Sequence, residues 1–209
     1  MKQRARHLPA EERRAATVEA MIALAAEQNP ADITTAEIAE HMGMTQGALF
    51  RHFRNKDAML EATINWASDR LLARIDRAAA RADSPLAALQ DMFLAHIDFV
   101  ANHPGVPRML FGQLQRAGDT LPKRMARTLM RQYGERLRRL LIQGKEQEQL
   151  RADLDVEIAA ALFIGSIQGL VVQSLLSGKP AQMRRDAPGI FDVYKRGLIV
   201  TPLARGEQE

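Results

Sequence analysis

Apolar residues recur along this 209-residue chain every three or four positions, which is the period of an amphipathic α-helix. The first clear stripe consists of Val18, Met21, Ile22 and Ala25, and it ends before Asn29-Pro30. Later stripes keep this period, and no segment alternates strictly between apolar and polar residues as a half-buried strand does. The pattern predicts an all-α protein of about nine helices.

The lengths and spacing of these helices divide the chain in two. Residues 1–54 are predicted to form a small three-helix unit, and residues 55–209 a larger helical unit that begins with a long helix. Near the end, an apolar helix at about residues 155–177 is followed by a predicted linker at residues 178–189. A last helix is predicted at about residues 190–200.

Composition narrows the possible chemistry. Apolar residues make up 46% of the chain, and the absence of cysteine excludes disulfides, thiolate metal sites and a cysteine nucleophile. No apolar signal core follows the basic N-terminus, so we expect a cytoplasmic protein. The motifs of zinc peptidases, phosphate-binding loops and α/β-hydrolases are absent. The sequence therefore predicts a protein that is not an enzyme and that uses no cofactor or metal ion.

Positive charge is distributed unevenly, although the formal net charge is only +4. Lys2, Arg4 and Arg6 precede the first helix, and residues 41–56 contain three basic residues and no acid. Such a local strip is what phosphate contact requires, whereas an average charge says little about it. A solvated basic surface is the alternative, and charge alone leaves both interpretations open.

The most informative segment lies between residues 33 and 56. Thr34 and Glu37 have the spacing of a capping box, which starts a helix. Gly43 falls at the turn, where a left-handed backbone costs glycine little, and Thr45 is suited to cap the next helix. The residues expected to face the core are apolar: Ile38, Ala39, Met42, Leu49 and Phe53. Two helices joined by a short turn form the helix-turn-helix that places its second helix in the DNA major groove.

Two cations flank Asn55, which is the predicted N-cap of the following helix. Arg54 and Lys56 at this position oppose the helix macrodipole. A DNA phosphate would reverse the effect, because it meets both the free backbone N–H groups and the lysine charge. We predict that Lys56 contacts the DNA backbone; an exposed lysine that tolerates a small penalty is the alternative.

Residues 34–57 include Thr-Thr-Ala-Glu-Ile-Ala, Gly, Thr-Gln-Gly-Ala-Leu-Phe-Arg-His-Phe and Asn-Lys-Asp, and they resemble the DNA-binding domain of the tetracycline-repressor (TetR) family. The resemblance implies that the groove-facing residues are Gln46, Gly47, Ala48 and Arg51. It implies phosphate contacts by Thr35, Thr45, His52 and Lys56, and Thr34 and Phe50 complete the predicted DNA-binding set. Phe50 departs from the family, which usually has tyrosine there; the missing hydroxyl removes a hydrogen bond worth about 1 kcal/mol.

The resemblance also implies dimerisation through the last two long helices. The candidate interface residues are Leu162, Gly165, Ser166, Gly169, Val172, Phe191, Tyr194 and Leu198. A homodimer on a palindromic double-stranded operator is expected on physical grounds as well, because one recognition helix reads only a few base pairs.

In the resembled family the middle helices enclose a pocket for a small-molecule effector. Candidate lining residues are Trp66, Phe93, His96, Phe99, Met109, Phe111, Gln113, Tyr133, Phe163 and Gln168. Mostly apolar residues with a few polar groups suit such a pocket. The same residues at helical spacing also suit an ordinary hydrophobic core.

Two alternatives concern the larger unit. Residues 158–178 carry no charge and are long enough to span a bilayer, but glutamine and serine interrupt them, so we predict a buried helix and no membrane contact.

The predicted function is a repressor that a small, largely apolar ligand releases from its operator. The alternative is a DNA-bound adaptor acting through a protein partner. A basic helix could be the docking surface for that partner, or it could simply be a solvated surface. Its basic residues are Lys123, Arg124, Arg127, Arg131, Arg136, Arg138 and Arg139.

Overall fold

A computed structural model describes residues 10–199, and within them every regular element is an α-helix. The helices are α1 (Ala10–Glu27), α2 (Thr35–His41), α3 (Gln46–Phe50), α4 (Lys56–Ala79), α5 (Pro85–Asn102), α6 (Gly105–Leu114), α7 (Leu121–Glu146), α8 (Val156–Ser177) and α9 (Pro180–Leu198). The all-α prediction and the helix order are confirmed over this range. Lys2, Arg4 and Arg6 lie outside the described residues.

The predicted linker at residues 178–189 is wrong, because α9 begins at Pro180. Gly178 ends α8 in a left-handed conformation with φ of 66°, and Pro180 occupies the first helical turn, where its missing N–H is tolerated. Pro188 lies inside α9 without ending it. Burial of Ala187 and of residues further along the same face explains why the helix continues through this proline.

The first compact unit comprises residues 10–72 and 99–131. Its core joins α1, α2, α3, the first half of α4 and Met109 of α6. The predicted stripe on α1 is confirmed, since Val18, Met21, Ile22 and Ala25 are all buried. The unit that holds the helix-turn-helix thus also includes residues beyond 54, and the boundary predicted after residue 54 stays a prediction.

The second compact unit comprises residues 73–98 and 132–199. Its core is aromatic, and α8 packs along α9. The Arg136 guanidinium donates two hydrogen bonds to the Asp76 carboxylate at 2.6 and 2.8 Å, and these lower the pKa of Asp76. Asp155 caps α8 by accepting hydrogen bonds from the backbone N–H groups of Glu157 and Ile158.

Candidate DNA-binding surface

The N-terminus of α2 forms the predicted capping box. The Thr34 hydroxyl accepts a hydrogen bond from the Glu37 backbone N–H at 3.2 Å, and the Glu37 carboxylate accepts one from the Thr34 backbone N–H at 2.6 Å. The hydrogen bond from the Thr34 backbone is the main reason that the pKa of Glu37 lies below its usual value. The backbone N–H groups of Thr34 and Glu37, which have no partner within the helix, are therefore both hydrogen-bonded. This fixes the point where the helix-turn-helix begins.

The turn between α2 and α3 depends on Gly43. This residue has φ of 64°, and the Met44 N–H behind it donates to the Ala39 carbonyl at 2.9 Å, which closes the end of α2. Thr45 then caps α3 by accepting a hydrogen bond from the Ala48 N–H at 3.2 Å. Leu49 is completely buried, so α3 is held to the core by one face.

The other faces of α3 and its flanks meet solvent. Of the predicted DNA-contacting residues, six are exposed: Thr34, Thr45, Gln46, Gly47, Phe50 and Arg51. Four are half-buried: Thr35, Ala48, His52 and Lys56. A Cβ added to Gly47 would meet no atom within 4 Å, so the surface is open at that point. The structure brings the ten residues onto and around one short helix, and their contacts with DNA stay predictions.

Gln46 and Thr35 contact one another directly. The Gln46 amide Nε2 donates a hydrogen bond of 2.6 Å to the Thr35 hydroxyl Oγ1. Thr35 is the first residue of α2 and Gln46 the first residue of α3. A predicted groove-facing residue is thereby joined to a predicted phosphate contact.

Arg14 of α1 supports the C-terminal end of α3, and it was not among the residues predicted from the sequence. Its guanidinium donates to the His52 carbonyl at 2.8 Å and lies 4.5 Å from the centroid of the Phe53 ring. The carbonyl oxygens at a helix C-terminus lack intrahelical partners, so a cation is favourable there. An exposed arginine separated from its partner by 38 residues gives no sequence signal.

Lys56 has intramolecular partners that the sequence did not reveal. It is half-buried, and its Nζ donates to the Ala31 carbonyl at 3.0 Å and to the Pro30 carbonyl at 3.4 Å. Asn55 caps α4 as predicted, accepting a hydrogen bond from the Ala58 N–H at 2.9 Å. The alternative of an exposed lysine is therefore wrong, because Lys56 is half-buried and ties the α1–α2 loop to the start of α4. Its phosphate contact stays a prediction.

The candidate effector residues fall into two separate groups. In the second unit, Phe93, His96, Tyr133 and Phe163 contact one another, with ring centroids 5.3 Å apart for Phe93 and Phe163. In the first unit, the Trp66 and Phe99 centroids lie 6.4 Å apart. The remaining first-unit candidates are Met109, which is buried, and Phe111 and Gln113, which are half-buried.

The prediction that Gln168 lines the effector pocket is wrong. It is exposed on α8, on the side away from the buried residues of that helix, so it does not line the interior of this chain. Helical periodicity did not reveal this, because α8 is apolar on most of its circumference.

His96 and Tyr133 form a polar pair inside the aromatic core of the second unit. The His96 Nδ1 and the Tyr133 hydroxyl lie 3.3 Å apart. Burial lowers the pKa of His96 to about 4 and raises the pKa of Tyr133. Near neutral pH both side chains are therefore uncharged, and each has hydrogen-bonding capacity within an apolar environment.

Acid should destabilise the fold through His96. An ordinary histidine has a pKa of 6.5, so the unfolded chain binds more protons than the native state as the pH falls from 6.5 towards 4. We expect the wild type to lose roughly 2–3 kcal/mol more unfolding free energy between about pH 7 and pH 4 than His96→Gln. Urea titrations at each pH measure this difference. His41→Gln, at an exposed histidine, is the control, and equal losses in wild type and His96→Gln would contradict the prediction.

The predicted interface residues on α8 and α9 have different environments. On α8, Leu162, Gly165, Gly169 and Val172 are exposed and Ser166 is half-buried. On α9, Phe191, Tyr194 and Leu198 are 1–4% exposed, and the Tyr194 hydroxyl donates to the Ala159 carbonyl at 3.0 Å. Their assignment to an interface is therefore wrong, because they fill the core of their own chain.

An exposed apolar seam runs along α8. It consists of Ile158, Leu162, Gly165, Gly169, Val172 and Leu176. The spacing alternates between four and three residues, as in the seam of a coiled coil. On α9, Ile190 and Val193 are exposed and repeat this spacing, and Val193 is 72% exposed. We call these eight residues the α8–α9 seam. The predicted interface did not include Ile158, Leu176, Ile190 and Val193. Among the described helices, α8 alone is long and apolar enough to cross a membrane, judged by length and composition.

Comparisons with known proteins agree with this architecture. Residues 18–63 match the family described as bacterial regulatory proteins, tetR family, and residues 114–189 match a tetracyclin repressor-like C-terminal domain. The nucleoid occlusion factor SlmA of Idiomarina loihiensis is 30% identical over 172 residues, which cover 80% of this chain and 87% of that protein.

Two solved structures show the same fold. The ketosteroid transcriptional regulator KstR2 of Mycobacterium tuberculosis has a TM-score of 0.74 at 22% identity and covers 90% of this chain and 96% of its own. The transcriptional regulator FadR from Bacillus subtilis, in complex with stearoyl-CoA, has a TM-score of 0.75 at 16% identity, covering 88% and 98%. With the capped helix-turn-helix and the helical C-terminal unit, these matches show that the chain belongs to the TetR family of DNA-binding transcriptional regulators.

Proposed function

We propose that the protein is a homodimeric, sequence-specific repressor that a small, largely apolar ligand releases from a palindromic operator. The observation that carries the proposal is the combination of a pre-formed recognition helix with an exposed apolar seam. The DNA-facing residues surround α3, which is capped by Thr45 and supported by Arg14. A single five-residue helix contacts few base pairs, so useful specificity requires two copies.

A second copy of the chain would cover the α8–α9 seam. Gly165 and Gly169 lie in the middle of the α8 stripe, and a Cβ added to either would meet no atom within 4 Å. Small residues at these positions let a partner helix approach closely, while Leu162 and Leu176 supply apolar area. The apolar character of α8 then reflects a subunit interface and not a membrane span. The dimer acts in the cytoplasm, where it meets DNA.

The effector would bind in the second unit, around the aromatic core that contains His96 and Tyr133. This core is apolar and contains one uncharged polar pair, the composition typical of a site for an apolar ligand with a few polar groups. A protein of this fold holds a ligand with a long apolar chain, since the Bacillus subtilis FadR structure is a complex with stearoyl-CoA. Ligand binding would favour a conformation whose half-site spacing no longer fits the operator, without catalysis by the protein.

An adaptor that acts through a protein partner is the second candidate. The name of the SlmA relative, a nucleoid occlusion factor, favours it. The basic helix α7 would then be the docking surface, but much of its charge is paired within the chain. Arg124 and Arg127 bind Asp119, Arg136 binds Asp76, and Arg138 binds Glu157. This pairing leaves less charge for an acidic partner and favours the ligand-released repressor.

Selection from a random pool of DNA duplexes at two salt concentrations tests the proposal. We expect enrichment of a palindrome with two half-sites and a steep fall in affinity as salt rises. Stearoyl-CoA and a steroid, added to the recovered complex, should lower the affinity for the palindrome if the effector is apolar. Failure of the wild type to enrich any sequence would sink the specific regulator. Enrichment without release by apolar ligands would favour the adaptor.

A further inference from the structure

The contact between the first residues of α2 and α3 links two kinds of DNA recognition. Gln46 Nε2 donates to Thr35 Oγ1 at 2.6 Å, and the surrounding backbone is fixed at both ends. The capping box of Thr34 and Glu37 holds the start of α2, and Thr45 holds the start of α3. Thr35 is half-buried and β-branched, so its side chain has few accessible rotamers.

This hydrogen bond determines which atoms of Gln46 remain available. A glutamine amide has two N–H donors and one carbonyl acceptor, and its last torsion angle is broadly distributed when nothing holds it. Because one N–H is given to Thr35, one donor and the acceptor Oε1 remain side by side on an exposed residue. That pair is complementary to adenine, which offers an N6 donor beside an N7 acceptor in the major groove.

The Thr35 hydroxyl keeps its own hydrogen after accepting from Gln46. It can donate that hydrogen to an acceptor such as a phosphate oxygen, and a hydroxyl that donates becomes a better acceptor. One hydroxyl can therefore join a backbone contact to the side chain that reads a base. We propose that Thr35 is a positioning residue that orients Gln46 to read one adenine in each half-site. The inference rests on the proposed sequence-specific recognition.

Three variants separate this role from a simple phosphate contact. Thr35→Val removes the hydroxyl and keeps the shape, Thr35→Ser keeps the hydroxyl, and Gln46→Ala removes the side chain that reads the base. Each variant, together with the double variant Thr35→Val/Gln46→Ala, is titrated with the duplex recovered by the wild type. Each is also titrated with duplexes substituted at each position of the half-site.

We expect the wild type and Thr35→Ser to prefer adenine over the other bases at one position by roughly tenfold or more. Thr35→Val should retain no more than about twofold preference there, and adding Thr35→Val to Gln46→Ala should not change the preference further. The dependence of affinity on salt should be the same in all variants, because none of them changes a charge.

Several results would overturn the inference. They are an unchanged base preference in Thr35→Val, equal weakening on every duplex with additive effects in the double variant, or a preference for guanine in place of adenine. Thermal unfolding of each variant confirms that the protein is folded, and Thr35→Ser tests the prediction even if Thr35→Val unfolds. If the wild type enriches no sequence, the proposed sequence-specific function is itself contradicted. If the wild type enriches a palindrome and one of the results above is found, only the role of Thr35 is contradicted.

Discussion

Replacing Gly105 with alanine is expected to lower the unfolding free energy by about 3 kcal/mol, near the upper end for overpacking a core. Gly105 is buried at the start of α6, where this helix crosses α1. An added Cβ would overlap the carbonyl oxygen of Ile22 and lie 3.0 Å from the backbone nitrogen of Ala26. Both atoms belong to the backbone of α1, so no side-chain rotation relieves the overlap, and the helix itself must move.

Gly112→Ala in the same helix is the matched control for this prediction. Gly112 is exposed, and an added Cβ would meet no atom within 4 Å. Alanine is a better helix former than glycine, so this variant should be neutral or more stable by up to roughly 1 kcal/mol. Urea denaturation at one fixed protein concentration measures both variants. Equal stability of Gly105→Ala and Gly112→Ala would show that α1 and α6 do not approach as closely as described.

Placing a charge in the α8–α9 seam is expected to separate the proposed dimer. Leu162 is 56% exposed and Val193 is 72% exposed in the single chain. Lysine at either position is well solvated in a monomer but would be buried and unpaired in a subunit interface. We expect Leu162→Lys and Val193→Lys to be folded monomers, with affinity for the palindromic operator reduced by roughly 100-fold or more.

Ile142→Lys is the matched control for the seam. Ile142 is 46% exposed but lies on α7, outside the seam, so its substitution should leave the oligomeric state and operator affinity unchanged. Light scattering coupled to gel filtration measures the mass, and titration of duplexes with one or two half-sites measures the binding. Dimers of unchanged stability in both seam variants would show that the chain associates elsewhere or acts alone.

The sequence predicted the DNA-binding unit in detail because its signals are local. A capping box, a turn glycine and a capping threonine each act over three or four residues, and the structure confirms them at Thr34, Gly43 and Thr45. The core stripe of α1 also followed from the helical period alone. Contacts between distant positions, such as Arg14 with the carbonyl of His52, leave no such local signal.

What covers each apolar face was decided only by the tertiary structure. Periodicity shows that a helix has an apolar face, but not whether that face meets its own chain or another molecule. Phe191 and Tyr194 were predicted at an interface and are buried within the chain, whereas Ile158 and Val193 were not predicted and are exposed. Likewise, the sequence located Lys56 beside a helix N-terminus, but only the folded chain brings the carbonyls of the α1–α2 loop within its reach. The sequence by itself determined the recognition motif and the order of the helices, since these depend on neighbouring residues, but it did not determine the start of α9 at Pro180. The partners of each surface depend on residues that are far apart along the chain, so only the fold specifies them.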